Sequence, residues 1–138
     1  MIDACYLYCL AVKLLIMNGD PRDVYQEVKR QAKTMNSMQK FDGEDKPLSI
    51  WFDEIENDLI PFGNEKQSNL KYAFVHAFYH FYKQTPYKQA IEQTLKIKGD
   101  TNINSMMVGG LLGASQGTSV IDPELVRNIL SCKPTDAQ

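Results

Sequence analysis

Three prolines, each directly after a residue that can cap a helix, do most to define how this chain can fold. The pairs are Asp20-Pro21, Thr85-Pro86 and Asp122-Pro123. Asp and Thr side chains accept hydrogen bonds from the unpaired N–H groups at a helix start, and proline suits the first helical position because it has no N–H group. Apolar residues recur every three or four positions after each pair, which is the period of a helix with one buried face. The chain is therefore expected to be all-α.

The same apolar period extends over most of the sequence and predicts about seven helices and no strand. The first helix is predicted over residues 2–18, largely buried, with Gly19 as its stop. The second is predicted from Pro21 toward Gln39, with a charged outer face.

Further helices are predicted after residue 48. Ser49 is expected to cap a short helix, residues 70–81 form a helix with an aromatic stripe, and the helix after Pro86 is expected to end at Gly99. Connecting loops are predicted at residues 41–48 and 62–67. The chain is predicted to fray from residue 133 onward.

Composition places the chain among soluble globular domains. It has 138 residues, of which 43% are apolar and 23% charged, and we expect one domain over residues 1–138. The formal charge of −2 gives no electrostatic reason to bind nucleic acid or an anionic membrane. The most apolar stretch, residues 6–17, is about half the length of a bilayer span and contains Lys13. Neither nucleic acid nor a membrane is expected as a partner.

Cysteine usage points to a reducing compartment. Cys5, Cys9 and Cys132 show neither the close pairs of a zinc site nor the density of a disulfide scaffold. The first apolar stretch lacks the basic flank and the small-residue cleavage site of a signal peptide. A cytoplasmic location is therefore expected.

Two pairs of residues have the four-residue spacing that places side chains on one helical face. His76 and His80 could bind a metal from such a face, but the sequence offers no third ligand nearby, so we expect them to pack at the rim of the aromatic helix. Cys5 and Cys9 could form a reactive pair, although buried, unreactive thiols are the more common arrangement.

Two groups of charged residues allow a chemical and a structural interpretation. Paired carboxylates could perform acid–base chemistry, and clustered cations could follow a phosphate backbone. Solvated helix faces are the interpretation that we favour for both groups. The acidic group is Asp53, Glu54, Glu56 and Asp58, and the basic group is Lys29, Arg30 and Lys33.

A polar turn followed by a glycine-rich segment is the strongest functional signal. Asp100 and several residues with side-chain oxygens come just before residues 105–117, which contain Gly109, Gly110 and Gly113. Because glycine weakens a helix interior by about 1 kcal/mol relative to alanine, the glycines predict close backbone packing. The polar turn could hold a hard cation such as Mg²⁺, or a phosphate at the helix start. Alternatively, it is only a capping turn.

The order of residues here resembles a known family signature. Gly99-Asp100-Thr101-Asn102-Ile103-Asn104, followed by Val-Gly-Gly-Leu-Leu-Gly-Ala at residues 108–114, resembles the Gly-Gly-Asp-Thr-Asp-Thr-Asn signature of the ADP-ribosylglycohydrolase family and the helix after it. The resemblance is strong over residues 70–117 and weak elsewhere. It implies an orthogonal multi-helix bundle like the C-terminal half of that fold. It also implies an enzyme that hydrolyses the bond between ADP-ribose and its acceptor with two Mg²⁺ ions.

The resemblance assigns roles to the residues of the turn. Asp100 falls on the first metal-binding aspartate, whereas Asn102 replaces the second and Ile103 replaces a metal-binding threonine. Gly99, Thr101 and Asn104 agree with the signature, which places them beside a bound ADP-ribose, and Lys98 replaces its first glycine. Asparagine lacks the negative charge and isoleucine lacks an oxygen, so the departures predict weak or absent Mg²⁺ binding at a vestigial site.

Two functions follow from these departures. The first is an inactive, truncated relative that serves as an interaction module in an assembly, because the family's Thr-Asp-Asp group and early glutamate have no counterpart here. The second is half of a Mg²⁺-dependent hydrolase, completed by another chain, in which Asp100, Asn102 and Asn104 hold a weakened metal site. An unrelated helical bundle is a third interpretation.

Overall fold

The structure, a computed structural model, describes residues 2–38, 47–60, 70–97 and 99–132, and these residues form an all-helical protein without strands. This confirms the all-α prediction. The predictions for residues 41–46, 61–69, 98 and 133–138 lie outside the described residues. The helices are α1 (Ile2–Ile16), α2 (Pro21–Met38), α3 (Leu48–Glu56), α4 (Leu70–Tyr82), α5 (Tyr87–Lys96), α6 (Thr101–Gln116) and α7 (Pro123–Ser131), with a 3₁₀ turn at Thr118–Val120.

Helix α4 is the centre of the core, as its aromatic stripe predicts. Phe74 and Phe78 are fully buried and stack with ring centroids 4.3 Å apart. Phe52 of α3 meets both rings edge to face, and Tyr25 of α2 also meets Phe52 edge to face. Burial of each phenylalanine contributes about 1.5–3 kcal/mol, so this cluster holds α2, α3 and α4 together.

Helix α4 also packs against α6, in the most extensive helix contact of the described residues. Ala73, His76, Ala77 and His80 share one face of α4, because these four residues follow the helical period. Both histidines are buried, at 1% and 2% exposure, so the prediction that they lie at a rim is wrong.

Three helices end on a residue in the left-handed conformation, and none of these residues is glycine. Asn18, Asp58 and Gln84 have φ values of 62°, 58° and 50°. At the end of α1, Asn18 N–H donates to the carbonyl of Leu15 and Gly19 N–H donates to that of Leu14, both at 3.0 Å. Gly19 therefore does not supply the left-handed stop that was predicted. It is needed for space, because a Cβ there would lie 2.8 Å from Leu14 O and Val24 Cγ2.

Two of the three predicted cap-and-proline starts are confirmed. Asp20 Oδ1 accepts from Arg22 N–H, and Asp122 Oδ1 accepts from Glu124 N–H, both at 2.9 Å. Thr85 does not cap α5, because the helix begins only after Pro86.

Gln116, at the end of α6, takes over the capping role at α5. Its Oε1 accepts from Tyr87 N–H at 3.0 Å, and its Nε2 donates to the carbonyl of Thr85 at 2.7 Å. Ser49 does not act as a cap either. It lies inside α3, where its hydroxyl accepts from Asn36 Nδ2 at 2.6 Å.

Helix α1 is apolar on both sides but buried on only one. Ala4, Leu7, Ala11 and Leu15 pack into the core. The opposite side is exposed and carries Lys13 together with five uncharged residues, Ile2, Cys5, Tyr6, Cys9 and Ile16, with Ile2 at 84% and Ile16 at 68% exposure. We call these five residues the α1 outer face. The expectation of a largely buried α1 is therefore wrong. No described helix combines the length and apolarity needed to cross a membrane.

Candidate functional site

The polar turn that the sequence singles out lies between α5 and α6. Helix α5 ends at Lys96, three residues before the predicted stop at Gly99. Gly99 instead opens the next turn with a φ of 82°, and its carbonyl accepts from Thr101 N–H at 2.9 Å. A left-handed backbone conformation costs the least free energy in glycine, which has no Cβ atom. Gly99 therefore redirects the chain into α6.

Asp100 is the N-cap of α6. Its Oδ1 accepts from Ile103 N–H at 3.3 Å, and its carbonyl accepts from Asn104 N–H at 3.0 Å. A carboxylate at a helix start satisfies an otherwise unpaired N–H group and interacts favourably with the helix dipole. The sequence-predicted acid is therefore used in the local structure of α6.

The residues after Asp100 do not converge on one point, because they already belong to the first turn of α6. Successive helical side chains are rotated by about 100°, which places Asn102 and Asn104 on nearly opposite sides. Asn104 is 5% exposed and faces the core, whereas Asn102 and Ile103 face the solvent. Thr101 is half-buried. The ADP-ribose set that the resemblance implies, Gly99, Thr101 and Asn104, is therefore split between the turn and the interior.

The donors present do not fit a two-magnesium centre. Mg²⁺ needs near-octahedral oxygen coordination and is usually held by carboxylates. Asp100 supplies one carboxylate, the exposed Asn102 supplies only a neutral amide oxygen, and Ile103 supplies no donor. Across the described residues, no three His, Cys, Asp or Glu side chains form a group that could hold a metal ion.

The glycines of α6 allow two other helices to approach closely. A Cβ on Gly109 would lie 3.1 Å from Tyr87 Oη of α5, and one on Gly110 would lie 2.5 Å from Tyr8 Oη of α1. The Tyr8 hydroxyl donates to the Met107 carbonyl at 2.9 Å. Burial raises the pKa of the Tyr8 phenol above its ordinary value because it disfavours the phenolate. The close packing predicted from the glycines is present in the structure.

The histidine pair is buried. His80 Nδ1 lies 3.3 Å from Thr85 Oγ1, and its buried Nε2 has no hydrogen-bond partner among the described residues. Burial, with a contribution from His76, lowers the pKa of His80 to about 4. His80 is therefore uncharged at neutral pH.

The charged groups connect helices in this structure. Lys29 of α2 pairs with Glu56 of α3 at 2.6 Å, and Lys71 of α4 pairs with Glu54 at 2.7 Å. The solvated-face interpretation holds for the exposed Asp53 and is wrong for Glu54, whose side chain is 17% exposed.

All three cysteines are exposed, so the expectation that Cys5 and Cys9 are buried is wrong. An apolar period does not distinguish the two sides of α1, because both are apolar. Cys5 and Cys9 belong to the side that faces the solvent, and Cys132 directly follows α7.

Sequence analysis missed a surface cleft at the other end of α6. The cleft has a volume of about 610 Å³ and lies between the start of α2, represented by Arg22, the end of α4 at Phe81 and the end of α6 at Ser115 and Gln116. Since α6 has 16 residues, the cleft is about 20 Å from Asp100. No local motif signals it, because distant segments form its walls.

Comparison with known proteins identifies one family. The model of the ADP-ribosylglycohydrolase family matches residues 1–136, which is nearly the whole chain. No curated protein and no solved structure matches the sequence.

Proposed function

The chain belongs to the ADP-ribosylglycohydrolase family, and we propose that it is a non-catalytic member that works as an interaction module in a protein assembly. The observation that carries this proposal is the α1 outer face. Two further observations support it: the turn before α6 lacks a set of metal ligands, and helix α7 is exposed. The exposed thiols suit a reducing environment, and we propose the cytoplasm as the location.

The α6 turn argues against autonomous catalysis. A metal-assisted hydrolysis needs a cation that polarises the leaving group or activates water. The turn has one carboxylate, at Asp100, and that carboxylate already accepts the N–H group of Ile103. The neighbouring Asn102 is exposed and neutral. We propose that Asp100 serves folding and that Mg²⁺ binds weakly or not at all.

The α1 outer face argues for association. A surface helix normally turns a charged or polar face to water, whereas the exposed side of α1 carries Lys13 as its single charged residue. Here Ile2, Tyr6 and Ile16 expose between 48% and 84% of their surface. Burying one such side chain contributes about 1.5–3 kcal/mol, so covering three of them provides a substantial driving force. Large apolar patches of this kind mark protein–protein contacts.

A second candidate function is a hydrolase half that another chain completes. The half-buried position of Asp100 at a helix N-terminus favours it, because such a carboxylate could share a cation with acids from a partner. In that case ADP-ribose would be the expected ligand. Release of ADP-ribose from a modified protein only when a partner chain and Mg²⁺ are both present, and not with Asp100→Ala, would support this candidate.

Light scattering coupled to size-exclusion chromatography tests the interaction module. We expect the wild-type chain to exceed the mass of a monomer and Tyr6→Glu to shift it toward the monomer. Leu95→Glu is the matched control, because Leu95 is 53% exposed on α5, away from the α1 outer face. A wild-type monomer at every concentration, or equal effects of both variants, would contradict the proposal.

A further inference from the structure

Two thiols lie next to each other on the exposed side of α1. Cys5 and Cys9 are four residues apart, and both are free and exposed. Residues at this separation are neighbours on a helix surface, with Cβ atoms about 5–6 Å apart. Because α1 is continuous from Ile2 to Ile16, its backbone holds the two thiols at this spacing. They form a pair of sulfur donors that neither the core nor the turn before α6 uses.

The spacing of the pair disfavours a disulfide. A disulfide brings its two Cβ atoms to about 3.8 Å, which is closer than a regular helix allows. Closing this gap would distort a helix whose Leu7 and Ala11 are fully buried in the core. A metal ion between the sulfur atoms needs no such distortion, because two metal–sulfur bonds of about 2.3 Å, the length in zinc sites, span about 4.6 Å. The pair therefore suits a bridging cation better than a covalent bond.

The donors on this side of α1 select a soft cation. Thiolates prefer soft ions such as Cu(I), whereas Mg²⁺ and Ca²⁺ prefer oxygen ligands. No carboxylate lies beside the thiols on the exposed side of α1. Zinc needs four ligands, and within the described part of the chain no third His, Cys, Asp or Glu joins the pair. Cu(I) is the ion that fits, because two thiolates in a linear arrangement satisfy it.

Lys13 provides a positive charge next to the pair. Two thiolates and one Cu(I) ion together carry a single net negative charge. Lys13 is exposed and lies four residues after Cys9, which places the two side chains on the same side of α1. None of the salt bridges between described residues includes Lys13. Its ammonium group is therefore available to balance the charge of the complex.

We propose that Cys5 and Cys9 form a two-coordinate site for one Cu(I) ion, with Lys13 balancing the charge. Binding forms two copper–sulfur bonds and releases the two thiol protons to the solvent, and copper keeps its oxidation state. The inference goes beyond the proposed function and does not depend on it, because one chain contains the whole site. A partner that covers the α1 outer face would compete with the cation.

Competition with bicinchoninate, a coloured chelator of Cu(I), measures the affinity of the full chain under oxygen-free conditions. We expect one Cu(I) ion per chain. Cys5→Ser and Cys9→Ser should each weaken binding at least about tenfold, because loss of even an outer partner of a metal ligand has an effect of that size. Cys132→Ser is the matched control, because it removes an exposed thiol outside α1, and it should leave the affinity unchanged. Circular dichroism verifies that all three variants retain the fold.

Two further measurements test the composition of the site. X-ray absorption at the copper edge should show two sulfur neighbours, and a third would contradict the two-coordinate site. Lys13→Glu should weaken binding severalfold at low salt, because it places a negative charge beside an anionic complex. Lys13→Arg keeps the charge and should retain the affinity. Equal affinities of these two variants would overturn the role of Lys13.

The outcomes separate this inference from the proposed function. One ion per chain, with binding weakened by both Cys5→Ser and Cys9→Ser, is the expected result, and it stands even if light scattering shows only monomers. A chain that associates but binds no Cu(I) would overturn the inference and leave the interaction module intact. An equal loss in Cys132→Ser, or one ion shared by two chains, would also overturn it.

Discussion

The Asp100 carboxylate accepts a hydrogen bond from the backbone N–H of Ile103 at 3.3 Å. The residue with the clearest chemical signature in the sequence thus satisfies a helix start in the structure. Its two neighbours in the family signature, Asn102 and Ile103, face the solvent from successive positions of the same turn. Local helix formation accounts for the geometry of this turn without a bound cation.

Removing the cap should destabilise the protein by a predictable amount. We expect Asp100→Ala to lower the free energy of unfolding by about 1 kcal/mol, because an N-cap hydrogen bond is lost. Asp100→Asn should retain most of the stability, since asparagine caps equally well. Urea denaturation with and without Mg²⁺ measures both. If Asp100→Asn loses as much stability as Asp100→Ala, the charge of the carboxylate has a role beyond capping.

The glycines of α6 should respond differently to alanine. Gly113→Ala is expected to raise stability by about 0.5–1 kcal/mol through helix propensity, because the nearest side-chain atom to its Cβ is 4.0 Å away. The free energy of unfolding of Gly110→Ala should be at least about 1 kcal/mol lower than that of Gly113→Ala, because the new Cβ displaces the Tyr8 hydroxyl from the Met107 carbonyl.

A double-mutant cycle checks the reason for that difference. Gly110→Ala combined with Tyr8→Phe should cost less than the sum of the single substitutions, because the phenylalanine has no hydroxyl to displace. Strict additivity in urea denaturation would show that Tyr8 is not the obstacle.

Stability should fall as the pH is lowered. The pKa of His80 is about 4 in the folded chain and about 6.5 when unfolded, so the unfolded chain binds more protons between these values. The free energy of unfolding is therefore expected to decrease by about 2 kcal/mol from pH 7 to pH 5. His80→Gln should flatten this dependence in denaturation curves recorded across that range. An unchanged slope would assign the pH dependence to other groups.

Gln116 should stabilise the start of α5 from a distance. We expect Gln116→Ala to cost about 1–2 kcal/mol, because Tyr87 N–H and the Thr85 carbonyl both lose a hydrogen bond. Gln93→Ala, on the exposed side of α5, is the control and should change stability little. Hydrogen exchange at Tyr87 should accelerate only in the first variant. Equal exchange rates in both would rule out the capping role.

Local signals in the sequence predicted much of the fold. Asp20 and Asp122 each precede proline and cap their helices as expected, and the aromatic period of residues 70–81 identified the central helix α4. Capping by Gln116 was not predictable, because it joins segments that only the tertiary structure brings together. The exposed Cys5 and Cys9 were missed because α1 is apolar on both sides, so its sequence does not show which side is covered.

The resemblance pointed to a candidate site, but the geometry of that site could not be predicted from the sequence. The signature pointed to the turn at Asp100, and the sequence showed that Asn102 and Ile103 lack the charge or the oxygen that the signature has there. It did not show that α6 begins at Thr101, four residues before the predicted glycine-rich segment. This early start separates Asn102 from Asn104, because both are already on the helix.

Calorimetric titration of the wild-type chain with ADP-ribose in Mg²⁺ tests the central claim most directly. The account predicts only the heat of dilution, the same for wild type and Asp100→Asn. A saturable heat that requires Mg²⁺ and disappears in Asp100→Asn would show a working metal-dependent site and contradict the proposal that this chain is a non-catalytic module.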